Sequence, residues 1–562
     1  MGRHNPSPAL SDTVTVEASV ESDAFRAETL QTVVSKWRIG ESFDRFEAYD
    51  ASATSGLDTR GFFGAVFDGR YVYFVPQSTG LASEGTAPGQ HGHVLRYDTQ
   101  EDFASASGWS AYDASATSGL QTRGYYGAVF DGRYVFFIPR TDGANLHTRI
   151  LRYDTQSDFD ALGSWQAFDI GHAMSCQSAG FDGRYIYCCP GYETEPKTRH
   201  CGRILRYDTH SAFDAPDSYV IHDAGRTDGV ETGCFDGAVF DGRYVYFVPL
   251  GAVGGMLRCD TLGEFTDPTS WDAFDARKIS GLKMGTCVGA TFDGRYVYYV
   301  PYANSVAVRF DTQGEFADAD AWSAFDAVKT GGLYCSGYDG AVFDGRFVYY
   351  LPFWEGEDPS RGFHGKVLRY DATRDFTDGE SWQAVDAGRT SGLESIGFNG
   401  GAFDGRFIYM APWRTGATAD GSAIAHGNVL RYDTVGQDAS FSLRAVDFGH
   451  NGGLCAAVPG PSFLVNTERG VVGAWAHRGL APGRHHLAGI YDGRHVRLYI
   501  DGKLAAERSG SGRIQHCEVE TAIGHLEGGL GRFDGRVEDA QVIGEARDAQ
   551  WVAAKSRQDR RS

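Results

Sequence analysis

The sequence predicts an all-β protein organised around a seven-bladed β-propeller. The tetrapeptide Phe-Asp-Gly-Arg occurs seven times between residues 67 and 406, at intervals of 63, 51, 59, 52, 51 and 60 residues, and once more at 533–536. A motif that returns at such a period indicates a repeat architecture, and four strand-like segments accompany each copy, as in a propeller blade. The chain also contains 74 Gly, 36 Phe and 29 Tyr, a composition that suits short strands joined by tight turns. The motifs begin at Phe67, Phe130, Phe181, Phe240, Phe292, Phe343 and Phe403.

The composition excludes some classes of function. The net charge is −21, whereas nucleic-acid-binding surfaces are basic, so we expect no nucleic-acid partner. No run of 18 apolar residues is present, so we expect no membrane span. No apolar segment follows Met1, which favours a cytoplasmic protein; export by a non-classical route is the alternative. The ten Cys lack metal-ligand spacing and are interpreted as mainly reduced thiols.

The N-terminal region precedes the repeats. Residues 1–12 are expected to be disordered, and apolar alternation predicts strands over 13–20 and 30–37. The next segment, Phe46-Glu-Ala-Tyr-Asp50, matches the fourth strand of a repeat although no repeat precedes it. The seventh repeat lacks a fourth strand of its own, so we expect residues 46–50 to complete that blade and close the ring.

Each repeat follows one pattern. The first strand reads Gly-Ala-Val-Phe, and Asp-Gly then predicts a type I′ hairpin turn to a second strand that ends in Pro. The third strand carries Arg-Tyr-Asp-Thr, whose charged residues are predicted to be scaffold. The fourth carries an aromatic residue predicted to pack between blades. The layout resembles the kelch-like class, although the consensus differs. The fourth-strand aromatic residues are Trp109, Trp165, Tyr219, Trp271, Trp322 and Trp382.

The two ends of the chain share a further resemblance. The N-terminal "VTVEASV…LQTVVSKW" and the C-terminal "LAGIYDGRHVRLYIDGKLAAE" are similar to a laminin-G-like jelly roll of the concanavalin A-like superfamily. The resemblance implies one sandwich, split by the propeller. We therefore expect the first part of the jelly roll at 13–45, the propeller at 46–440, the second part at 441–553 and a basic tail at 554–562.

Variable loops on one face of the propeller are the first candidate site. Loops between the second and third strands vary in length, and binding residues commonly lie on such loops. Histidines precede five of the third strands, either as a metal or proton-transfer cluster or as a shared loop-closing hydrogen bond. Third strands lie too far from the axis to favour a shared metal. These residues are His91, His93, His147, His200, His364 and His426.

The residue before each first-strand glycine is the second candidate, because it enters the channel mouth and varies among blades. Aromatic members could stack on a flat ligand such as a sugar, and oxygen-bearing members could hold calcium or another divalent cation. Asp236 and Asp339 are the predicted cation ligands. With Val288 completing the ring, the candidate ligand-binding residues are Phe63, Tyr126, Gln177, Asp236, Asp339 and Asn399.

These features favour a binding protein over an enzyme. The chain has no nucleophile elbow, phosphate loop, dinucleotide fingerprint or His-Glu-x-x-His motif. The jelly-roll resemblance implies a glycan or protein partner. Two alternatives remain open: an enzyme at the propeller mouth, such as a glycosidase or lyase that uses paired carboxylates, and an assembly subunit that docks on a larger complex.

Overall fold

The structure is a computed structural model. It describes residues 12–23, 25, 30–80, 89–193, 199–251, 255–279, 284–302, 304–356, 362–416, 424–447, 454–456, 460–476 and 478–559. Residues 1–11, most of the segment expected to be disordered, lie outside the described residues.

Three strands precede the first repeat, and they lie close to where the sequence predicts strands. They are β1 (Val14–Ser22), β2 (Gln31–Trp37) and β3 (Phe46–Asp50).

The repeat forms seven sheets with four blade strands each, as the motif predicts, and the sheet of blade 2 has a fifth strand from outside the repeat. Blade 1 contains β4 (Phe62–Phe67), β5 (Tyr71–Pro76), β6 (His93–Asp98) and β7 (Trp109–Asp113). Blade 2 contains β8 (Tyr125–Phe130), β9 (Tyr134–Pro139), β10 (Arg149–Asp154) and β11 (Trp165–Asp169). Blade 3 contains β12 (Cys176–Phe181), β13 (Tyr185–Pro190), β14 (Arg203–Asp208) and β15 (Tyr219–Asp223).

The later blades repeat this order. A two-stranded ribbon, β16 (Arg226–Thr227) and β17 (Val230–Glu231), precedes blade 4. Blade 4 contains β18 (Phe235–Phe240), β19 (Tyr244–Pro249), β20 (Gly255–Asp260) and β21 (Trp271–Asp275). Blade 5 contains β22 (Cys287–Phe292), β23 (Tyr296–Pro301), β24 (Val306–Asp311) and β25 (Trp322–Asp326). Blade 6 contains β26 (Tyr338–Phe343), β27 (Phe347–Pro352), β28 (Lys366–Asp371) and β29 (Trp382–Asp386).

Blade 7 combines strands from both ends of the repeat array. Its own strands are β30 (Phe398–Phe403), β31 (Phe407–Pro412) and β34 (Asn428–Asp433), and a small ribbon of β32 (Arg414–Thr415) and β33 (Ile424–Ala425) lies between the last two. The fourth strand is β3, which pairs antiparallel with β34 in the register Glu47↔Arg431 and Tyr49↔Val429. The predicted closure of the ring is therefore confirmed.

The C-terminal strands, apart from β36, complete a sandwich with the N-terminal ones. They are β35 (Ala439–Asp447), β36 (Cys455–Ala456), β37 (Gly460–Thr467), β38 (Gly470–Trp475), β39 (Gly483–Tyr491), β40 (His495–Ile500), β41 (Lys503–Ser509), β42 (Ala522–Ile523) and β43 (Arg536–Ile543). One sheet has the order β41-β40-β39-β1-β43 and the other β38-β37-β35-β2-β42. The chain thus folds as a seven-bladed propeller and a jelly-roll sandwich. Helix α1 (Ala549–Asp559) follows, so residues 554–559 are helical where a basic tail was expected.

The Phe-Asp-Gly-Arg turn differs from the predicted type I′ geometry. Gly69 has a positive φ of 104°, but Asp68 does not share that conformation, which a type I′ turn requires at both central residues. Instead, the Asp68 carboxylate accepts the backbone N–H groups of Arg70 and Tyr71 at 2.8 and 2.7 Å. The side chain therefore supplies the turn's hydrogen bonds and fixes its shape.

The third-strand aspartate has a paired scaffold role in all seven blades, although its partner is not the arginine of its own strand. The arginine of each Phe-Asp-Gly-Arg motif forms an ion pair with the aspartate of Arg-Tyr-Asp-Thr in the same blade or its equivalent, as in Arg70–Asp98 at 2.7 Å. The fourth-strand aromatic residues pack between blades, as predicted. Trp109 stacks on Tyr49 with ring centroids 5.0 Å apart and planes 10° apart. The same aromatic contact between fourth strands therefore packs neighbouring blades against each other.

Candidate functional site

The sandwich packs against the face of the propeller that carries the Asp-Gly turns, which we call the turn face, with contacts to blades 1, 2, 6 and 7 among the described residues. The N–H of Gly473 donates to the carbonyl oxygen of Gly69 at 3.2 Å. Arg508 Nε donates to the carbonyl oxygen of Asp68 at 2.8 Å, and Arg406 Nη1 donates to Asn466 Oδ1 at 2.9 Å. The opposite face, which carries the variable loops and which we call the loop face, takes no part in these contacts.

A short segment of the sandwich also enters the central channel. Residues 454–456, between β35 and β37, include β36, which pairs in parallel with innermost strand β8 in the register Cys455↔Ala128. The Leu454 carbonyl oxygen accepts a hydrogen bond from Ser178 at 2.5 Å, and the Leu454 side chain is only 1% exposed. We call residues 454–456 the plug.

First-strand glycines make room for the plug. A Cβ atom on Gly127 would lie 2.3 Å from the Leu454 carbonyl oxygen, and Gly127 has a positive φ of 72°. Gly64, Gly237 and Gly400 also line the cavity around Leu454. Glycine is therefore favoured at this first-strand position for two reasons: its backbone is left-handed, and the channel beside the plug is too narrow for a side chain.

The predicted channel-mouth residues form a ring directly on the loop-face side of the plug, because each precedes the first-strand glycine or its equivalent. All are buried, and they contact one another: Tyr126 donates to Asp236 at 2.8 Å and Asn399 donates to Asp339 at 2.6 Å. Gln177 donates to Asp236 at 3.2 Å. We call this set the inner ring; it comprises Phe63, Tyr126, Gln177, Asp236, Val288, Asp339 and Asn399.

Burial changes the acid–base properties of the inner ring. Desolvation raises the pKa of the Asp339 carboxyl well above its usual range, and the negative charge of Asp236 raises it further. Asp339 Oδ1 and Asn399 Oδ1 have no hydrogen-bond partner among the described residues. No group of three or more His, Cys, Asp or Glu side chains within the described ranges is arranged to hold a metal ion. Cation binding by Asp236 and Asp339 stays a prediction.

Four of the predicted histidines close loops through both ring nitrogens. In His91, His147, His364 and His426, Nδ1 accepts the backbone N–H two residues later at 3.2 Å. Nε2 lies 2.8–3.3 Å from a backbone carbonyl oxygen in the preceding blade-crossing loop, to which it donates. Burial lowers the pKa of each imidazole to about 4. This geometry supports the loop-closing interpretation, since neither nitrogen is left for a metal.

The remaining two histidines lie beside the same loops. His93 Nδ1 is 2.8 Å from the carbonyl oxygen of Asp58, and the His200 ring packs edge-on against Tyr192 at 5.7 Å.

A second ring around the mouth was missed by sequence reasoning. It consists of the residue after each second-strand proline, a position that varies among blades while the proline recurs. That contrast was visible in the sequence. We call this set the outer ring; it comprises Gln77, Arg140, Gly191, Leu250, Tyr302, Phe353 and Trp413.

The two rings pack against each other as an aromatic cluster with a cationic edge. The Phe63 ring lies 4.6 Å from Tyr126 and 4.3 Å from Trp413. The Arg140 guanidinium lies over Tyr126 at 4.8 Å and over Phe63 at 5.1 Å. Tyr302 and Phe353 stack with centroids 5.7 Å apart. The mouth therefore combines aromatic side chains, hydrogen-bonding groups and a positive charge above a closed floor.

Comparisons with known proteins agree with part of this architecture. Residues 432–553 match a family model described as Laminin_G_3, the concanavalin A-like lectin/glucanases superfamily. No curated protein matches the chain. A solved structure titled "Crystal structure of Nidogen/Laminin Complex" is similar over 52% of this chain and 94% of its own, with 14% sequence identity and a TM-score of 0.30. In the described part of the chain, no helix is long and apolar enough to cross a membrane.

Proposed function

We propose that this protein is a non-enzymatic binding protein that recognises a glycan or a protein partner through the loop face of the propeller. One observation carries the proposal: the sandwich packs on the turn face at blades 1, 2, 6 and 7, and its plug, with Leu454 at 1% exposure, fills the channel from that side. The loop face is the side on which a partner can reach the channel mouth. A rigid scaffold that presents variable loops is a common design for recognition.

The chemistry of the mouth supports recognition. Half-buried Tyr302 and Arg140 stand in the outer ring, where each has a surface that a partner can contact. Tyrosine and arginine are the residue types that most often supply binding energy at interfaces, because each offers a large area and directional hydrogen bonds. Concanavalin A-like and propeller folds both serve as binding modules, but a shared fold alone does not define the partner.

The paired carboxylates fit a binding role better than the glycosidase or lyase alternative. Asp236 and Asp339 are 3% and 1% exposed, and each takes part in a side-chain hydrogen bond within the inner ring. A carboxylate that acts on a glycosidic bond must reach the substrate directly. In this geometry the inner ring instead forms the floor beneath the mouth.

We also propose that the sandwich is one domain split by the propeller, with parts at 13–45 and 441–553 and the propeller at 46–440. Trp37 pairs with Ala439 in neighbouring antiparallel strands of one sheet, which brings the two cut ends together. In the connecting segments, the N–H of Gly40 donates to the carbonyl oxygen of Thr434 at 2.8 Å. A domain whose two cut ends lie this close together can accept the insertion of another domain between them.

The proposal is tested by a binding screen of the full chain against an oligosaccharide array and a lysate, followed by affinity measurements. We expect Tyr302→Ala to weaken the ligand found by about tenfold or more, as for a hot-spot tyrosine. Tyr134→Ala is the matched control, because Tyr134 is also half-buried but lies on the turn face. Equal effects of the two substitutions, or turnover of a bound oligosaccharide, would contradict the proposal. A stable protein partner that ignores Tyr302 would favour the assembly role.

A further inference from the structure

Two arginines at the mouth differ from the other arginines that organise the propeller. The seven arginines of the Phe-Asp-Gly-Arg motifs each face an aspartate, as in the Arg133–Asp154 pair at 2.7 Å. Arg140 and Arg414 form no ion pair with any described residue, although the protein has 73 acidic residues. Arg140 follows the second-strand proline of blade 2, and Arg414 follows Trp413 in blade 7.

Arg414 is a half-buried cation whose charge has little compensation. Its Nη2 donates to the carbonyl oxygen of Gly80 at 2.9 Å, and its guanidinium lies over the Trp413 ring at 4.4 Å. Its Nε is buried without a hydrogen-bond partner in the described chain. Burial lowers the pKa of Arg414, and no described carboxylate offsets the effect. An incoming anion would supply the missing charge.

Arg140 is held in a similar way. Its Nη2 is 3.5 Å from Gln177 Oε1, at the limit of a hydrogen bond, and its Nε is buried without a described partner. The rings of Tyr126 and Phe63 support the guanidinium plane. Such stacking holds an arginine in place without neutralising its charge.

A continuous row of rings joins the two cations. Phe63 contacts Trp413 with centroids 4.3 Å apart, so the row runs from Arg140 through Phe63 and Trp413 to Arg414. Both guanidiniums therefore belong to one preorganised surface at one mouth. Arginine binds carboxylate and sulfate groups through parallel N–H donors, and fixed arginines lose little freedom when they do so.

We propose, resting on the function proposed above, that the loop-face mouth binds an acidic glycan and that Arg140 and Arg414 receive the carboxylate or sulfate groups of its sugar residues. Tyr302, the half-buried aromatic member of the outer ring, favours a sugar over an acidic peptide, because an aromatic ring beside hydrogen-bonding groups suits the apolar and hydroxylated faces of a sugar ring.

The floor of the mouth is compatible with an anion above it. Desolvation and the charge of Asp236 raise the pKa of Asp339, and the smaller effects of the Arg140 charge and the Asn399 hydrogen bond lower it, so the net shift favours the protonated form and reduces the negative charge of the inner ring. The net charge of −21 also opposes general attachment of polyanions to the surface. Binding of an acidic glycan would therefore indicate the site at Arg140 and Arg414 rather than general attraction to the protein surface.

The test is isothermal titration of the full chain with trigalacturonate, its methyl-esterified counterpart and a sulfated oligosaccharide. We expect an acidic probe to bind and the neutral ester to bind at least about tenfold more weakly, because the ester cannot form the charge-assisted hydrogen bonds. Arg414→Gln and Arg140→Gln should each weaken the acidic probe about tenfold. Arg414→Lys should recover only part of the loss, because lysine keeps the charge but not the planar donors.

Arg133→Gln is the matched control, since Arg133 also stacks on a tyrosine, at 4.9 Å, but lies on the turn face and is ion-paired. Circular dichroism and thermal midpoints establish that each variant is folded. The inference is overturned if no acidic probe binds, if the ester binds equally well, if the control is equally damaging, or if a Glu-rich peptide is preferred. A neutral glycan or a protein bound at Tyr302 would overturn the inference and leave the proposed function standing. If no glycan or protein binds the loop face, both fail.

Discussion

Replacing Leu454 with alanine tests whether the plug is a packed part of the propeller. The substitution removes three carbon groups from a side chain that is 1% exposed, a transfer loss of about 2–2.5 kcal/mol. The cavity left by the substitution would be lined partly by Gly64, Gly237 and Gly400, which have no side chains that could move to fill it. A cavity that cannot collapse adds to the loss, so we expect a decrease of about 3–5 kcal/mol in the free energy of unfolding.

The assay is urea-induced unfolding followed by tryptophan fluorescence, supported by scanning calorimetry. Leu262→Ala is the matched control: it removes the same atoms from a leucine that is 81% exposed, so we expect a change within about 0.5 kcal/mol. Leu454 is continuous with the sandwich and buried in the propeller, so it couples the two domains. If the sandwich and the propeller unfold in one transition in the parent protein, Leu454→Ala should divide it into two. If Leu454→Ala destabilises no more than Leu262→Ala, the plug does not pack as described and the closed floor of the mouth is refuted.

Two further predictions concern the repeat itself. Gly127→Ala should lower the free energy of unfolding in urea more than Gly56→Ala does. Both glycines have a positive φ, so each alanine should be strained by about 1–2 kcal/mol, but only at Gly127 would the new Cβ meet the Leu454 carbonyl oxygen. Equal decreases in the free energy of unfolding would contradict the tight fit of the plug. His364→Gln should reduce the loss of folding stability between pH 6.5 and about 4. The pKa of His364 is lowered to about 4 in the folded protein, so below pH 6.5 the unfolded chain binds a proton that the folded protein does not bind, and the folded state loses stability as the pH falls. The same substitution at the exposed His172 is the control for the loss of a histidine.

The repeat made the fold accessible from the sequence. Seven copies of one motif fixed the blade number, and the surplus segment Phe46–Asp50 revealed how the ring closes, because a fourth strand without a blade must belong to a blade without a fourth strand. The prediction of a type I′ turn was wrong for a local reason. Asp-Gly is shared by several turn types, and here the Asp68 side chain accepts the N–H groups of Arg70 and Tyr71.

The site was harder to predict because its character depends on the plug. Residues 454–456 have no periodicity and no motif, and their role follows only from the tertiary contact of Leu454 with the channel. Variation among the blades singled out positions that the plug and the outer ring bury, so their role in binding stays a prediction. Phe63 and Tyr126, expected to be available for stacking, instead support Arg140. The proposed contact residues therefore lie one layer further out.

The same sandwich accounts for the closed channel and for the geometry of the ring. The chain leaves β2 at Trp37, contributes β3 to blade 7, and returns through β35, which pairs with β2. The segment just beyond β35 then delivers Leu454 to the channel. The buried plug closes the channel, so the architecture is unsuited to the passage of a ligand through the ring. In the proposed function, recognition therefore takes place at the rim, where the Nε atoms of Arg140 and Arg414 have no hydrogen-bond partner among the described residues.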